Sequence, residues 1–312
     1  MKLLNVEISA VAALAPMAGV TDWAFRTVCR EVAPVYTVTE MVSAKALCYQ
    51  DKKSRQLLRL GGDEHPAAAQ IFGSDPGCMA EGALRALDIS GADVLDINMG
   101  CPTPKIVRNG DGCALMRSPE LATNIVRTVV DAVKVPVTVK MRLGFDGGSL
   151  NAAEFAERLE QAGASGFCVH GRTGRQGYSG RADWSGIAKV VKAVSVPVIA
   201  NGDIFSLSDL VRCLKVTGAA MGMIGRASMG NPCVFVPEGQ TFRTDIARRH
   251  FELLVSDKGE KVACLEMRRH LAWYTRGLPF AAFFRREMNT LATPEDFARL
   301  LRRMDREGDP YG

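Results

Sequence analysis

Cys101 lies in the stretch Asp96–Met116, DINMGCPTPKIVRNGDGCALM, directly after the apolar run Val94–Asn98. That run reads as a buried strand that stops at Gly100 and delivers a thiol just beyond its C-terminal end. Free cysteine is commonly a small buried hydrophobe, as Cys168 is within its own apolar run. Cys101 instead sits among Gly, Pro and polar residues, which favours a functional thiol. Pro102 and Pro104 are expected to deny the next residues a helix, and Gly110 and Gly112 to keep the loop pliable. A thiol at a strand tip, with a loop bearing Lys, Arg and Asn behind it, suits a proton donor beneath a mobile lid.

Two further groups of residues carry chemistry. Asn201-Gly202-Asp203 and Gly225-Arg226 each follow an apolar run. Their glycines let backbone N–H groups approach an anion, with which Arg226 can pair bidentately. Lys140, inside VTVKMR, is an ammonium among apolar residues and needs a partner. That partner is either the electron-rich edge of a bound heterocycle or a salt bridge to Asp96 or Asp203. Gln70 offers a donor and an acceptor to the same heterocycle, and His170 and Arg172 add further donors.

Positioning these residues requires a repeated unit. Candidate strands are Ala12–Met17, Val35–Thr39, Ala67–Phe72, Val94–Asn98, Val135–Met141, Gly166–His170, Val196–Ala200 and Ala219–Gly225. Helical spacing marks Glu120–Val133, Ala152–Gly163, Trp184–Val194 and Ser206–Val216 between the later ones. This alternation predicts a (β/α)8 TIM barrel over residues 1–240. A doubly wound sheet is disfavoured, since no G-x-G-x-x-G turn follows the first strand. Polar or glycine-rich residues follow almost every run, and in a barrel these positions converge on one face. Asn201–Asp203 and Gly225-Arg226 then occupy the usual phosphate position. Phosphate at one end, with an amide and a lysine at the other and no nicotinamide fingerprint, points to flavin mononucleotide (FMN).

After Pro237 the strand-like pattern ends. Ile246–Val255, Glu260–Arg276, Pro279–Leu291 and Pro294–Arg306 read as helices of a small C-terminal helical domain, residues 241–312, with Thr293-Pro294 as a helix start. From Arg243 onward fourteen Lys/Arg face eleven Asp/Glu, a concentration of the chain's net +5 that hints at a polyanionic partner. Trp273, Tyr274 and the paired arginines 268–269 and 285–286 offer an RNA-gripping surface, or the aromatics form the tail's own core. No apolar run approaches the ~20 residues of a membrane span. Glu7 interrupts the apolar N-terminus, so secretion is not expected. Nine cysteines without CxxC spacing fit a reducing cytoplasm, and the four scattered histidines give no metal site. A monomer is expected.

The chain resembles the bacterial tRNA-dihydrouridine synthase family, nearest its B-type members. The resemblance is carried by APMAGVTDWAFR (Ala15–Arg26), TEMVSAKAL (Thr39–Leu47), AAQIFGSDP (Ala68–Pro76), the Cys101 stretch, PVTVKMRLG (Pro136–Gly144), HGRTGRQGYSGRADW (His170–Trp184), NGDI (Asn201–Ile204), GRASMGNP (Gly225–Pro232) and MRRHLAWYTRGLP (Met267–Pro279). It implies FMN-dependent reduction of the uridine 5,6 double bond in RNA, most simply tRNA, with NADPH reloading the flavin. By matching position Pro16, Met17, Gln70, Lys140, His170, Asn201, Gly202, Asp203, Gly225 and Arg226 would hold FMN. Cys101 would be the general acid, and Asn98 and Arg142, beside Lys140, would hold the uracil. Gly174 stands where the family usually has Arg, and Cys233 where it usually has Trp.

Hydride delivered to uracil C6 leaves negative charge across C5–C4–O4, and an acid must then protonate C5 from the opposite face. A stacked base must be extruded first. The rival reading is a small-molecule flavin enzyme of dihydropyrimidine or dihydroorotate dehydrogenase type, which leaves the basic tail idle. Ribosomal RNA as substrate, and an RNA-binding module with an inactive barrel, are further alternatives.

Overall fold

The computed structural model describes residues 1–237, 243–278 and 280–305. It opens with an antiparallel hairpin, β1 (Lys2–Leu3) and β2 (Val6–Glu7). The remaining strands are β3 (Ala12–Leu14), β4 (Val35–Val38), the two-residue β5 (Val42–Ser43), β6 (Ala67–Phe72), β7 (Val94–Met99), β8 (Val137–Arg142), β9 (Gly166–His170), β10 (Val198–Asn201) and β11 (Met221–Ile224). They pair in parallel in the order β4-β3-β11-β10-β9-β8-β7-β6, and β4 pairs with β6 to close the ring. β5 pairs with the far end of β6, Val42 opposite Ile71. The chain is thus built on an eight-stranded parallel barrel, with all the expected strands present.

Where the strands are shorter than expected, proline and glycine account for it. Pro136 and Pro197 have no N–H to give the ladder, so β8 and β10 begin at the next residue. Gly218, at φ +70°, caps the preceding helix and delays β11. Helices lie between the strands: α1 (Trp23–Val32), α2 (Ala44–Cys48), α3 (Lys52–Leu57), α4 (Pro76–Ser90), α5 (Pro104–Arg108), α6 (Pro119–Ala132), α7 (Ala152–Gln161), α8 (Trp184–Ala193) and α9 (Leu207–Thr217). Asp75, Asp183 and Ser206 cap α4, α8 and α9 through their side chains.

Period-two alternation decides what fills the barrel. Its lower interior holds Tyr36, Val38, Ala68, Val94, Cys168, Ile199, Met221 and Met223, with Leu3 and Ile8 of the hairpin segment packed among them. In the register above Val94, polar side chains replace apolar ones. Gln70, Asp96 and Thr138 are neighbours, then Asn98 and Lys140, then Arg142, His170 and Asn201.

By packing, the chain divides into two compact units, Met1–Trp23 with Pro34–Gly225, and Ala24–Ala33 with Arg226–Gly312. The expected boundary at 240/241 falls outside the described residues. The second unit takes in most of α1, together with α10 (Arg243–Lys258), α11 (Glu260–Tyr274), α12 (Ala281–Glu287) and α13 (Pro294–Asp305). Thr293 caps α13 as expected, accepting from the Asp296 N–H at 3.2 Å. Of the expected RNA-gripping residues here, Tyr274 is fully buried and Trp273 half-buried. Arg268 donates twice to the Leu291 carbonyl, whereas Arg269, Arg285 and Arg286 are exposed. Among the described residues no helix is long and apolar enough to cross a membrane.

The core of this second unit contains two imidazoles. His250 and His270 are buried, with ring centroids 4.4 Å apart, and Phe25 of α1 packs on both. Burial, then the neighbouring His250, holds His270 well below the ordinary histidine range. The neutral ring is therefore favoured in the folded state, and below about pH 6.5 the unfolded chain binds the extra proton. Stability is present above that pH and declines as pH falls, by about 1.4 kcal/mol per pH unit for one such group. Urea unfolding at pH 7.5, 6.0 and 5.0 should show this decline, and His270→Leu should flatten it. An equally steep decline in the variant would mean that another group drives it.

Candidate active site

The thiol is set by what happens at the end of β7. Asn98 is the last inward residue of that strand, and its Oδ1 accepts the N–H groups of Gly100 (3.1 Å) and Cys101 (2.9 Å). These bonds fold the chain into a tight turn that leaves Cys101 half-buried, its Sγ donating to Thr103 Oγ1 at 3.3 Å. The following residues differ from expectation. Pro104 does not prevent a helix but opens one as the first residue of α5, where its missing N–H costs nothing. The pliable loop is likewise a buried 3-10 turn, Gly112–Arg117. Gly112 has φ +60°, and a Cβ there would stand 2.6 Å from the Cys101 carbonyl oxygen, so only glycine lets this turn pack under the thiol.

Beneath the turn lies a network of buried polar groups. Gln70 is fully buried and donates from Nε2 to Asp96 Oδ2 (2.7 Å), while its Oε1 accepts from Asn98 Nδ2 (3.0 Å). Thr138 donates to Asp96 Oδ1 at 2.6 Å. Burial pushes the Asp96 carboxyl up to about 6, against the Thr138 and Gln70 hydrogen bonds and Lys140, which pull it down. Thr138 was missed in the sequence, although it shares an inward face with Lys140 and Arg142 at spacing two.

Lys140 Nζ donates to Asn201 Oδ1 at 3.2 Å, and Asn201 Nδ2 donates to the Met223 carbonyl. The anticipated alternative of a lysine salt bridge is not formed. Asp203 pairs instead with Arg172, whose Nη2 reaches both carboxylate oxygens at 2.8 and 2.7 Å. Asp203 also accepts the Ala182 N–H. Gly202 has φ +113°, with room for no side chain: a Cβ would stand 2.9 Å from Ala182 Cβ. Its carbonyl accepts from Trp184 Nε1 at 2.9 Å.

Arg142 is 4% exposed, so its hydrogen bonds matter. Nε donates to the Gly100 carbonyl (2.7 Å), and Nη1 to the carbonyls of Thr173 (2.8 Å) and Gly177 (3.0 Å). Arg172, 2% exposed, donates to the carbonyls of Ser179 and Gly180. Two buried guanidiniums thus hold the segment after β9. Arg172 Nη1 is buried and has no hydrogen-bond partner among the described residues. His170, at the end of β9, meets the Tyr178 ring edge-on at 6.2 Å.

Pro16 and Met17 follow β3 and are half-buried; the Met17 N–H donates to Thr21 Oγ1. A Cβ on Gly225 would lie 3.7 Å from Met17 Sδ, so these two ends of the barrel seam are adjacent. Arg226 is the first residue of the second unit and heads the 3-10 turn Arg226–Ser228. The barrel therefore brings Gln70, Asn98 and Cys101 into one hydrogen-bonded chain, joins Lys140 to Asn201, and sets Gly225 beside Met17. Asp203 is not joined to Lys140.

Gly174 has a local explanation. Its Cβ would stand 2.7 Å from Cys113 Sγ and 3.0 Å from the Phe145 carbonyl oxygen, so a larger residue requires the Cys113 turn to move. Cys113 is buried, and burial pushes its thiol up, unlike the surroundings of a reactive cysteine.

The fold is also seen in histamine dehydrogenase from Rhizobium sp. 4-9, with a TM-score of 0.55 over 86% of this chain and 51% of that one at 13% identity. Sequence relatives are much nearer. A probable tRNA-dihydrouridine synthase 1 of Synechocystis sp. is 42% identical over 300 residues, covering 92% of this chain and 84% of that protein. The tRNA-dihydrouridine synthase B of Pseudomonas aeruginosa is 39% identical over 291 residues, 89% and 87% of the two chains. The dihydrouridine synthase family model matches residues 13–307, a span that takes in Cys101, its supporting amides and the helical unit alike, and the chain belongs to that family.

Proposed function

We propose that this chain reduces the C5–C6 double bond of uridine in tRNA to dihydrouridine, with FMN as its flavin and NADPH as the reductant. The observation that carries the reading is a half-buried thiol, fixed by two hydrogen bonds from its turn to Asn98, above a mouth lined by Lys140, Arg142 and Asn201.

The residues present fit an anionic, hydrogen-bonding cofactor. Among the described residues Lys140 has only a neutral amide oxygen as hydrogen-bond partner, and Arg172 Nη1 is a buried donor lacking an acceptor. In this reading Pro16, Met17, Lys140, His170 and Asn201 hold the flavin ring and ribityl chain. Gln70, expected there from the sequence, is fully buried with its amide bonded to Asp96 and Asn98, and acts through Asn98. Gly202, Asp203, Gly225 and Arg226 are assigned to its phosphate end, Asp203 acting through Arg172. When bound, FMN supplies the hydride to uracil C6.

The chain's own residues supply the rest. Asn98 has one replaceable contact, Nδ2 to the weak acceptor Met41 Sδ at 3.6 Å, which a uracil carbonyl oxygen would take over. Arg142 keeps Nη2 for the same ring, since Nε and Nη1 hold the turn and the loop. Cys101 gives its proton to C5 and is reprotonated from solvent. Exposed Arg269, Arg285 and Arg286 meet phosphates of the RNA.

The test is anaerobic. Protein reduced by NADPH is mixed with unmodified tRNA transcript, with ribosomal RNA, or with free uridine, and flavin absorbance is followed. Fast reoxidation by the transcript alone is the expected result. Equal reoxidation by free uridine would favour the small-molecule enzyme, and a protein that purifies without flavin would overturn the proposal.

A further inference from the structure

Asp96 has no part in the chemistry above, yet it stands at the origin of a directional chain of hydrogen bonds. An ionised carboxylate only accepts, and this one receives Thr138 Oγ1 on Oδ1 and Gln70 Nε2 on Oδ2. Gln70 must therefore turn its NH2 toward Asp96 and its Oε1 the other way. Oε1 accepts from Asn98 Nδ2, so the Asn98 amide is oriented in turn, with Oδ1 aimed at the Gly100 and Cys101 N–H groups. Reversing Gln70 would set acceptor against acceptor at Asp96 and donor against donor at Asn98, and reversing Asn98 would set donor against donor at the turn.

We infer that Asp96 is a positioning residue, which through Gln70 and Asn98 fixes the turn that presents Cys101. The inference rests on Cys101 as the acid of the proposed reaction. The titratable groups facing Asp96 are consistent with this role. Lys140 of β8 favours its ionised form, while burial keeps Tyr36 of β4 and Cys168 of β9 protonated. The register accounts for the arrangement, since Gln70, Asp96 and Thr138 are direct neighbours on β6, β7 and β8, and Asn98 is the next inward residue of β7.

The chain of bonds can be cut at its origin. Asp96→Ala removes the acceptor, and Gln70→Met, close in size, cuts one bond later and serves if the alanine variant folds poorly. Asp96→Asn keeps an acceptor for Gln70, because the Thr138 hydroxyl can turn and accept from the new NH2. Amide hydrogen exchange of the peptide spanning Met99–Thr103, at pH 8 where Asp96 is ionised, reads the turn without any catalysis. Loss of the oriented acceptor should speed exchange at Gly100 and Cys101 about tenfold in Asp96→Ala and Gln70→Met, and leave Asp96→Asn within about threefold of the parent. Reoxidation of the Asp96→Ala protein by tRNA should slow by about 10–100-fold, while flavin reduction by NADPH changes only a few-fold. Unchanged exchange in both cutting variants, or faster exchange spread evenly over β7 and β8, would overturn the inference. So would faster exchange at the turn with undiminished reoxidation. A parent protein inert toward tRNA would sink the proposed reaction, and the exchange measurement would still decide the relay.

Discussion

Cys101→Ala should reduce its flavin at a near-parent rate and then fail to pass the electrons on. In the proposed reaction, flavin reduction by NADPH precedes any contact with uracil and needs no acid at C5. Reoxidation by tRNA does need one, and losing a positioned general acid should slow that step about 10²–10⁴-fold. The alanine removes only Sγ and its 3.3 Å contact with Thr103, leaving the Asn98 bonds to the turn intact. Cys113→Ala is the internal control. That thiol lies in the same stretch of chain, but it is buried against Gly174 and raised by burial, and its role is packing. It should reoxidise within a few-fold of the parent. Stopped-flow absorbance of the reduced flavin separates these cases. If Cys101→Ala reoxidises normally, or Cys113→Ala is the crippled variant, the acid is the other thiol or neither.

The barrel was legible in the sequence because its signal is local. Eight short apolar runs with helical spacing between them put Gln70, Asn98, Lys140, Arg142, His170 and Asn201 at or near strand ends on one face of a barrel, and the structure places them there. What these side chains touch was not legible. The resemblance gives Arg142 to the uracil, but two of its acceptors are carbonyls 31 and 35 residues later, brought back by the segment after β9. Asp203 reads as a partner for Lys140, but the β9–β10 register sets Asn201 opposite His170 and so brings Asp203 beside Arg172, each two residues further on. Pro104 reads as a helix breaker, and its opposite use at a first helical position depends on where the preceding turn ends. The membership of α1 in the second unit has no sequence signal at all. It follows from Phe25 packing on His250 and His270, more than two hundred residues away.

The largest stability effect is expected at Asp203, a residue that the sequence suggested for cofactor contact. Its carboxylate is the counter-charge of Arg172, which is 2% exposed and accounts for three anchoring contacts of the loop, at Ser179, Gly180 and Asp203 itself. Asp203→Asn isolates the charge. Asn is nearly identical in size and tolerates φ +54° as well as Asp does, so the backbone is not strained further. The amide, however, must turn its NH2 toward Arg172 Nη2 in either orientation, and in one of them toward the Ala182 N–H as well, and the guanidinium is left buried without an anion. Breaking a fully buried pair from one side costs roughly 3–5 kcal/mol, and with Asp203 itself 20% exposed the low end, about 3 kcal/mol, is expected. For a barrel of this size that lowers the thermal midpoint by roughly 6–12 °C. Removing both charges with Arg172→Met in the same chain should recover part of the loss, because no lone buried ion remains. Circular dichroism melts of the two variants measure this, and flavin release followed by fluorescence shows whether the site opens with the barrel. A single variant melting within 2 °C of the parent would mean that water reaches Arg172, and that the pair does not hold the loop.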